Sequence, residues 1–107
     1  MKLNKLRILG MLACLVAAQP SQATLNVTVT KLTNLRIEGP YGFIGFGIEL
    51  PGCGSRVWVD MNNPLGRSVY ATAMMAYSSN KTVTLRADDG STRVYFACNL
   101  YDIYVTD

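Results

Sequence analysis

Short segments in which apolar and polar residues alternate constrain the fold of this chain more than any other feature of its sequence. A period of two is typical of a strand that buries one face. In the first such segment Leu25, Val27 and Val29 alternate with polar residues, and these three form the predicted inward face. Segments of this kind lie within 25–37, 43–50, 56–61, 82–87 and 94–105. The sequence therefore predicts a mainly β domain with five strands.

The last predicted strand changes the parity of its apolar residues partway along its length. Val94, Phe96 and Cys98 are expected to face inward, whereas after Asn99 the apolar residues fall at the other parity. These later residues are Tyr101, Ile103 and Val105. Because a shift by one residue is what a β-bulge produces, we expect a bulge after Asn99.

One segment, between the third and fourth strands, has the periodicity of a helix. Asn63 is a typical N-cap residue, Pro64 suits the first helical position, and Ser78-Ser79-Asn80 ends the helix. The apolar stripe expected to face the strands consists of Leu65, Val69, Ala73 and Ala76. Met74 and Met75 do not both belong to this stripe, so at least one is expected to face outward or to contact another subunit.

The start of the chain has the composition of an export signal. Basic residues at positions 2, 5 and 7 precede an apolar stretch, 8–18, which is too short to span a bilayer, and Ser21-Gln22-Ala23 suits signal peptidase. We therefore expect a signal peptide at 1–23, a single domain at 24–107, and an exported bacterial protein, periplasmic or secreted, without a membrane span. The run Met11–Cys14 also resembles a lipoprotein cleavage box, which leaves lipidation of Cys14 open.

Two cysteines remain after cleavage of the leader, and they are expected to form a disulfide. Cys53 and Cys98 would lie in an oxidising compartment, where such a pair is normally bonded. The bond would close a loop of about 45 residues and stabilise the domain by roughly 4 kcal/mol in the chain-entropy model. The alternative is a pair of buried free thiols.

The residue types argue against catalysis. The chain has no histidine, so Ser–His–Asp and Cys–His arrangements and histidine metal sites are excluded. The carboxylate pairs Glu38–Glu49 and Asp88–Asp89 suit solvated positions and a tight turn. After the leader the chain has seven basic and seven acidic residues, so its net charge gives no strong positive electrostatic field that would attract nucleic acid or anionic lipid. We therefore expect no enzyme, no cofactor, no metal and no nucleic-acid partner.

Binding is a better expectation, because aromatic residues fall among polar ones. Trp58 shares a strand face with Arg56 and Asp60, opposite the apolar face. Such a ring can stack on a sugar or anchor a protein interface; the alternative is that Trp58 packs under a loop or beside the helix. Tyr41 in a turn and Tyr101 near the C-terminus complete the candidate surface for a ligand or an interface.

Three strands, a capped helix and two further strands is the element order of the OB-fold, a small five-stranded Greek-key barrel. With its leader, its cysteine pair and no catalytic set, the chain resembles the cell-binding B subunits of bacterial AB5 toxins of the subtilase-cytotoxin and typhoid-toxin type. Related uncharacterised periplasmic proteins are also similar. The likeness is strongest over 56–86, through Asn62-Asn63-Pro64, Ala76-Tyr77 and Lys81–Leu85.

This resemblance implies a secreted subunit that assembles as a homo-pentamer and binds glycans, which in the family are often sialylated. It carries no sugar-contacting residue over to this chain. The alternative is a monomeric or dimeric periplasmic protein that binds a protein or a small molecule.

Overall fold

The computed structural model describes residues 25–106, with side chains from residue 26 onward. The predicted signal peptide at 1–23, including Cys14, lies outside the described residues. The strands are β1 Leu25–Glu38, β2 Tyr41–Leu50, β3 Gly54–Asp60, β4 Thr82–Asp88 and β5 Cys98–Val105. The helix α1 spans Pro64–Ser78, between β3 and β4.

The five strands close into a barrel in the order β1-β2-β3-β5-β4, and β1 pairs with β4 to complete it. All pairs are antiparallel except β3 with β5. Residues 25–31 of β1 pair with β4, and β1 pairs with β2 from Leu32 onward, with a register irregularity between Leu32 and Asn34. This confirms the predicted fold class, a mainly β, OB-like five-stranded barrel with one helix between strands three and four.

The β3–β5 pair is the weakest junction in the barrel, since only two residue pairs are in register, Val57 with Cys98 and Trp58 with Asn99. The predicted disulfide lies at this junction. Cys53, in the turn before β3, is bonded to Cys98 at the start of β5, with the Cα atoms 5.3 Å apart. Both cysteines are buried. The covalent bond therefore strengthens the junction between the two strands that have the fewest residue pairs in register.

The helix begins and ends as the sequence predicts. The Asn63 side chain accepts a hydrogen bond from the Leu65 amide, Pro64 occupies the first turn, and Ser79 is the C-cap. Its neighbours are β1, β2, β3 and β5, so the helix covers one end of the barrel.

The buried stripe of the helix differs from the predicted one. Tyr70, Ala73 and Ala76 are buried, whereas Leu65 is exposed. The reason lies at Gly66: a Cβ atom there would be 2.0 Å from the carbonyl oxygen of Asp60. The helix therefore meets the end of β3 at position 66, and helical spacing from that point leads to 70, 73 and 76.

The inward face of β1 is the reverse of the prediction. Val27 and Val29 are exposed. Thr28 and Thr30 instead lie opposite Leu85 and Val83, both fully buried, and directly paired residues share a face of the sheet. Alternation shows that a strand has two faces, but the register with β4 decides which face is inside.

The last strand begins later than predicted. β5 starts at Cys98, and the residues before it form a tight turn in which Val94 and Ala97 exchange two backbone hydrogen bonds. Phe96, predicted to face inward, is 89% exposed at the tip of this turn. The predicted change of phase is confirmed, because the register with β4 shifts between Arg86 and Ala87. The extra residue there is Tyr101, whose side chain is exposed.

Candidate functional site

The loop between β4 and β5, residues 89–97, folds over the outer face of β3. The indole nitrogen Nε1 of Trp58 donates a hydrogen bond to the carbonyl oxygen of Thr92 (3.0 Å), and Nη2 of Arg56 donates one to the carbonyl oxygen of Tyr95 (3.3 Å). Two of the predicted surface residues thus hold the loop in place. The edge of the Trp58 ring that carries Nε1 therefore contacts a loop, as in the alternative prediction for this residue.

A small aromatic cluster lies beneath this loop, on the outside of the barrel. Phe43 is fully buried although it does not belong to the cluster that fills the barrel interior. The Tyr95 ring lies 5.8 Å from the Phe43 ring, and the guanidinium carbon of Arg56 lies 4.7 Å from its centroid. Tyr41 contacts the Phe43 ring and also packs edge to face against Trp58, with 5.7 Å between the two ring centroids. The structure therefore brings Tyr41, Arg56 and Trp58 together around Phe43.

Phe43 is a residue that the sequence reasoning missed. The sequence does contain a sign of its role, because Phe43 lies on the face of β2 opposite to that of Ile44 and Phe46. A polar, exposed residue is expected on that outer face. A large aromatic residue at such a position indicates an external cover. The register places it directly opposite Trp58.

A cleft of about 340 Å³ opens beside Trp58, bounded by β3, β5, the start of α1 and the first part of the loop. Three of the predicted surface residues line it, Trp58, Asp60 and Tyr101, and Asn63 and Asn99 line it as well. Tyr101 reaches the cleft because the bulge turns it outward. Tyr41 and Arg56, by contrast, lie outside this cleft, on the other side of Trp58.

The polar groups of the cleft are held in position by the fold. Oδ1 of Asp60 accepts from the amide of Asn62 (2.9 Å), and Nδ2 of Asn99 donates to the carbonyl oxygen of Trp58 (3.3 Å). Oγ of Ser91 donates to the carbonyl oxygen of Asp88 (2.7 Å). A carboxylate has about four acceptor positions, so Asp60 retains acceptor capacity for a ligand. These hydrogen bonds restrict the orientations of the Asp60, Ser91 and Asn99 side chains.

The Tyr101 ring packs against Arg86, which forms an ion pair with Asp102 on the outer face of the barrel. The guanidinium carbon of Arg86 lies 5.2 Å from the centroid of the Tyr101 ring, and Nε of Arg86 donates to Oδ1 of Asp102 at 2.8 Å. A second hydrogen bond joins Nη2 of Arg86 to Oδ2. These hydrogen bonds lower the pKa of Asp102 and raise that of Arg86 from their ordinary values.

The two methionines of the helix both face outward. Met74 is 50% exposed and Met75 is 48% exposed. Neither lies in the cleft, and each flanks the buried stripe on the side turned away from the barrel. The prediction that at least one of them leaves the stripe is confirmed.

Within residues 25–106, no group of three or more acidic, cysteine or histidine side chains is placed to hold a metal ion. No helix in that part of the chain is long and apolar enough to cross a membrane. Comparison of the chain with protein-family models, with curated proteins and with solved structures found no match.

Proposed function

We propose that this chain is an exported, non-enzymatic binding domain that recognises a carbohydrate in the cleft between Trp58 and Tyr101. The observation that supports this most is that two aromatic residues, Trp58 and Tyr101, line the same cleft as three polar ones, Asp60, Asn63 and Asn99. Aromatic faces pack against the C–H faces of a sugar ring, while carboxylate and amide groups bind its hydroxyls. The volume also lies in the range of small-molecule sites, about 300–1,000 Å³.

The residues of the cleft favour binding over turnover. Hydrolysis of a glycosidic bond normally requires a pair of carboxyl groups on opposite sides of the bond. Among the described residues that line the cleft, Asp60 supplies the one carboxylate. The chain also lacks histidine, the usual general base near neutral pH. A saccharide in this cleft would be held and released unchanged.

Export of the protein is part of the proposal, and two features support it. The leader at 1–23 has the basic start, short apolar stretch and small residues of a signal peptide. The disulfide between Cys53 and Cys98 is buried and joins distant parts of the chain, as in proteins that fold outside the reducing cytoplasm.

We further propose that the domain assembles as a ring, with Met74 and Met75 in the contact between subunits. Two neighbouring, half-exposed methionines give a helix an adaptable apolar surface. The native mass of the oxidised protein tests this directly. A pentamer would support the ring, whereas a monomer or dimer would favour a periplasmic protein that binds a small molecule or protein as a single unit.

A glycan array with the oxidised protein tests carbohydrate binding. Tyr101→Ala removes one wall of the cleft and is expected to weaken binding about tenfold, the effect of losing one stacking contact. Tyr104→Ala is the matched control, because Tyr104 lies on the same strand with similar exposure but outside the cleft. If the wild-type protein binds no saccharide, or if both variants lose binding equally, the proposal is wrong.

A further inference from the structure

A second cavity, of about 500 Å³, lies on the other side of the loop from the cleft, and two arginines line it. Arg56 comes from β3 and Arg93 from the loop, and Asn34, Ser55 and Tyr95 complete its polar and aromatic walls. We infer that this cavity binds the carboxylate or sulfate group of an acidic saccharide. The inference rests on the proposed carbohydrate function, and it assigns a ligand class and a second site to it.

Both guanidinium groups are held in place by neutral partners. Arg56 lies on the face of the buried Phe43 ring and donates to the carbonyl oxygen of Tyr95. Arg93 donates through Nη1 to the carbonyl oxygen of Phe96 (3.4 Å) and through Nη2 to that of Asp89 (3.2 Å). Each guanidinium carries five N–H donors, so these contacts fix the groups and leave donors for an anion.

Two of the described residues that line this cavity are basic. Among the described residues that line it, none is acidic. The nearby carboxylate of Asp89 is outside the lining, and its Oδ2 accepts a hydrogen bond from Nδ2 of Asn26 (3.2 Å). Arg36 and Arg86, in contrast, form ion pairs with Glu38 and Asp102. Two arginines that share a cavity without an acidic lining residue suit the forked recognition of an oxyanion.

The turn that positions these arginines adopts an unusual backbone conformation. Tyr95 and Phe96 have φ values of 49° and 67°, a region that bulky residues rarely adopt and that two-residue hairpins normally fill with Asn and Gly. The carbonyl groups of these same two residues accept the hydrogen bonds of Arg56 and Arg93. Conformations of this kind persist where the surroundings impose them, and they concentrate at ligand sites.

The floor of the cavity supports the same conclusion. A Cβ atom at Gly45 would lie 2.4 Å from Nδ2 of Asn34, so glycine allows the amide of Asn34 to lie across β2. Gly45 is also the cross-strand partner of Arg56. The Asn34 amide therefore lies against Gly45, directly across from Arg56 on the neighbouring strand. There its N–H groups can donate to an anion together with the Arg56 guanidinium.

The anion site is tested with the full chain, expressed with its leader, recovered oxidised and labelled with ¹⁵N. Sodium sulfate and sodium acetate are titrated at constant ionic strength, and the Nε–H signals of Arg56 and Arg93 are followed by NMR. We expect saturable shifts at both side chains and a loss of affinity of at least about tenfold in Arg93→Gln. Arg36→Gln, which removes the same charge from an exposed ion pair on the same barrel, should leave the shifts unchanged.

Shifts that do not saturate, or an equal loss in the two variants, would overturn the anion site. A stronger response to sulfate or to acetate would show which acidic group it prefers.

A second arm separates this inference from the proposed function. The wild-type protein is applied to an array that carries neutral saccharides beside their sulfated and uronic-acid counterparts. Acidic members should bind about tenfold or more tightly than their neutral counterparts, and Arg93→Gln should remove that difference. Binding without such preference would reject the anion site and keep the carbohydrate function. Saturable sulfate binding with no saccharide bound would reject the carbohydrate function and keep the anion site.

Discussion

The guanidinium of Arg56 lies above the ring of Phe43, with 4.7 Å between the guanidinium carbon and the ring centroid. This contact links the barrel to the loop at 89–97, because the same guanidinium donates to the carbonyl oxygen of Tyr95. Phe43 therefore supports the loop from beneath, as the interior residues support the strands. Residues of that loop line both the cleft and the second cavity, so the packing of the loop against Phe43 contributes to the shape of both.

Replacing Phe43 with alanine should destabilise the domain by about 3 kcal/mol, the lower end for loss of a buried phenylalanine. Urea denaturation followed by circular dichroism measures the change. Phe96→Ala is the control, since Phe96 is 89% exposed and its removal should cost less than about 0.5 kcal/mol. Equal losses in the two variants would mean that Phe43 does not support the loop.

Removal of the disulfide should have the largest effect on stability. The variant with Cys53→Ala and Cys98→Ala loses the bond that spans the short β3–β5 pairing, and a decrease of roughly 4 kcal/mol is expected from the chain-entropy model. Urea midpoints of the variant and of the wild type under reducing conditions should agree. A reduced wild-type protein as stable as the oxidised form would contradict this prediction.

Gly66→Ala gives opposite predictions from helix propensity and from the structure. Propensity alone favours alanine by about 1 kcal/mol. The added Cβ would, however, meet the main-chain carbonyl oxygen of Asp60 at 2.0 Å, and such overpacking costs about 1–3 kcal/mol.

We therefore expect a lower thermal midpoint for Gly66→Ala. Ser68→Ala, at an exposed position of the same helix, should leave the midpoint unchanged or raise it slightly. A raised midpoint for Gly66→Ala would show that the helix does not meet β3 at residue 66.

The features that could be predicted from the sequence are those encoded by neighbouring residues. The cap at Asn63, the start at Pro64 and the phase change near Tyr101 are local patterns, and the order of the elements then indicates the barrel. Which face of β1 lies inside depends on its register with β4, which no local pattern contains. The same reason explains why Leu65 was placed on the buried stripe, since a contact with Asp60 sets the rotation of the helix.

The candidate site was predicted only in part, and for a related reason. Trp58 was recognised because an aromatic residue among polar neighbours on a strand is itself a signal. Arg56 and Arg93 are far apart in the sequence, and each appears as an isolated charge in a neutral domain. They share a cavity only because the loop folds back over β3. Their spacing in the sequence gives no sign of this proximity.

The ion pair between Arg86 and Asp102 should make stability depend on pH in the acid range. Hydrogen bonds from Arg86 lower the pKa of Asp102 in the folded protein, so the folded state binds this proton less readily than the unfolded state. The stabilisation is complete above the unfolded aspartate pKa of about 3.9 and is lost as the pH falls through the lower folded value.

Asp102→Asn removes the titrating group, so the gap in urea midpoint between wild type and variant should be constant near neutral pH and close as the pH falls below about 4. The control repeats the Asp102→Asn comparison in an Arg86→Gln background, which lacks the hydrogen bonds that lower the pKa of Asp102. In that background the gap in urea midpoint should change much less with pH. A gap for Asp102→Asn that stays constant down to the acid limit would show that Arg86 orients Tyr101 without stabilising the fold.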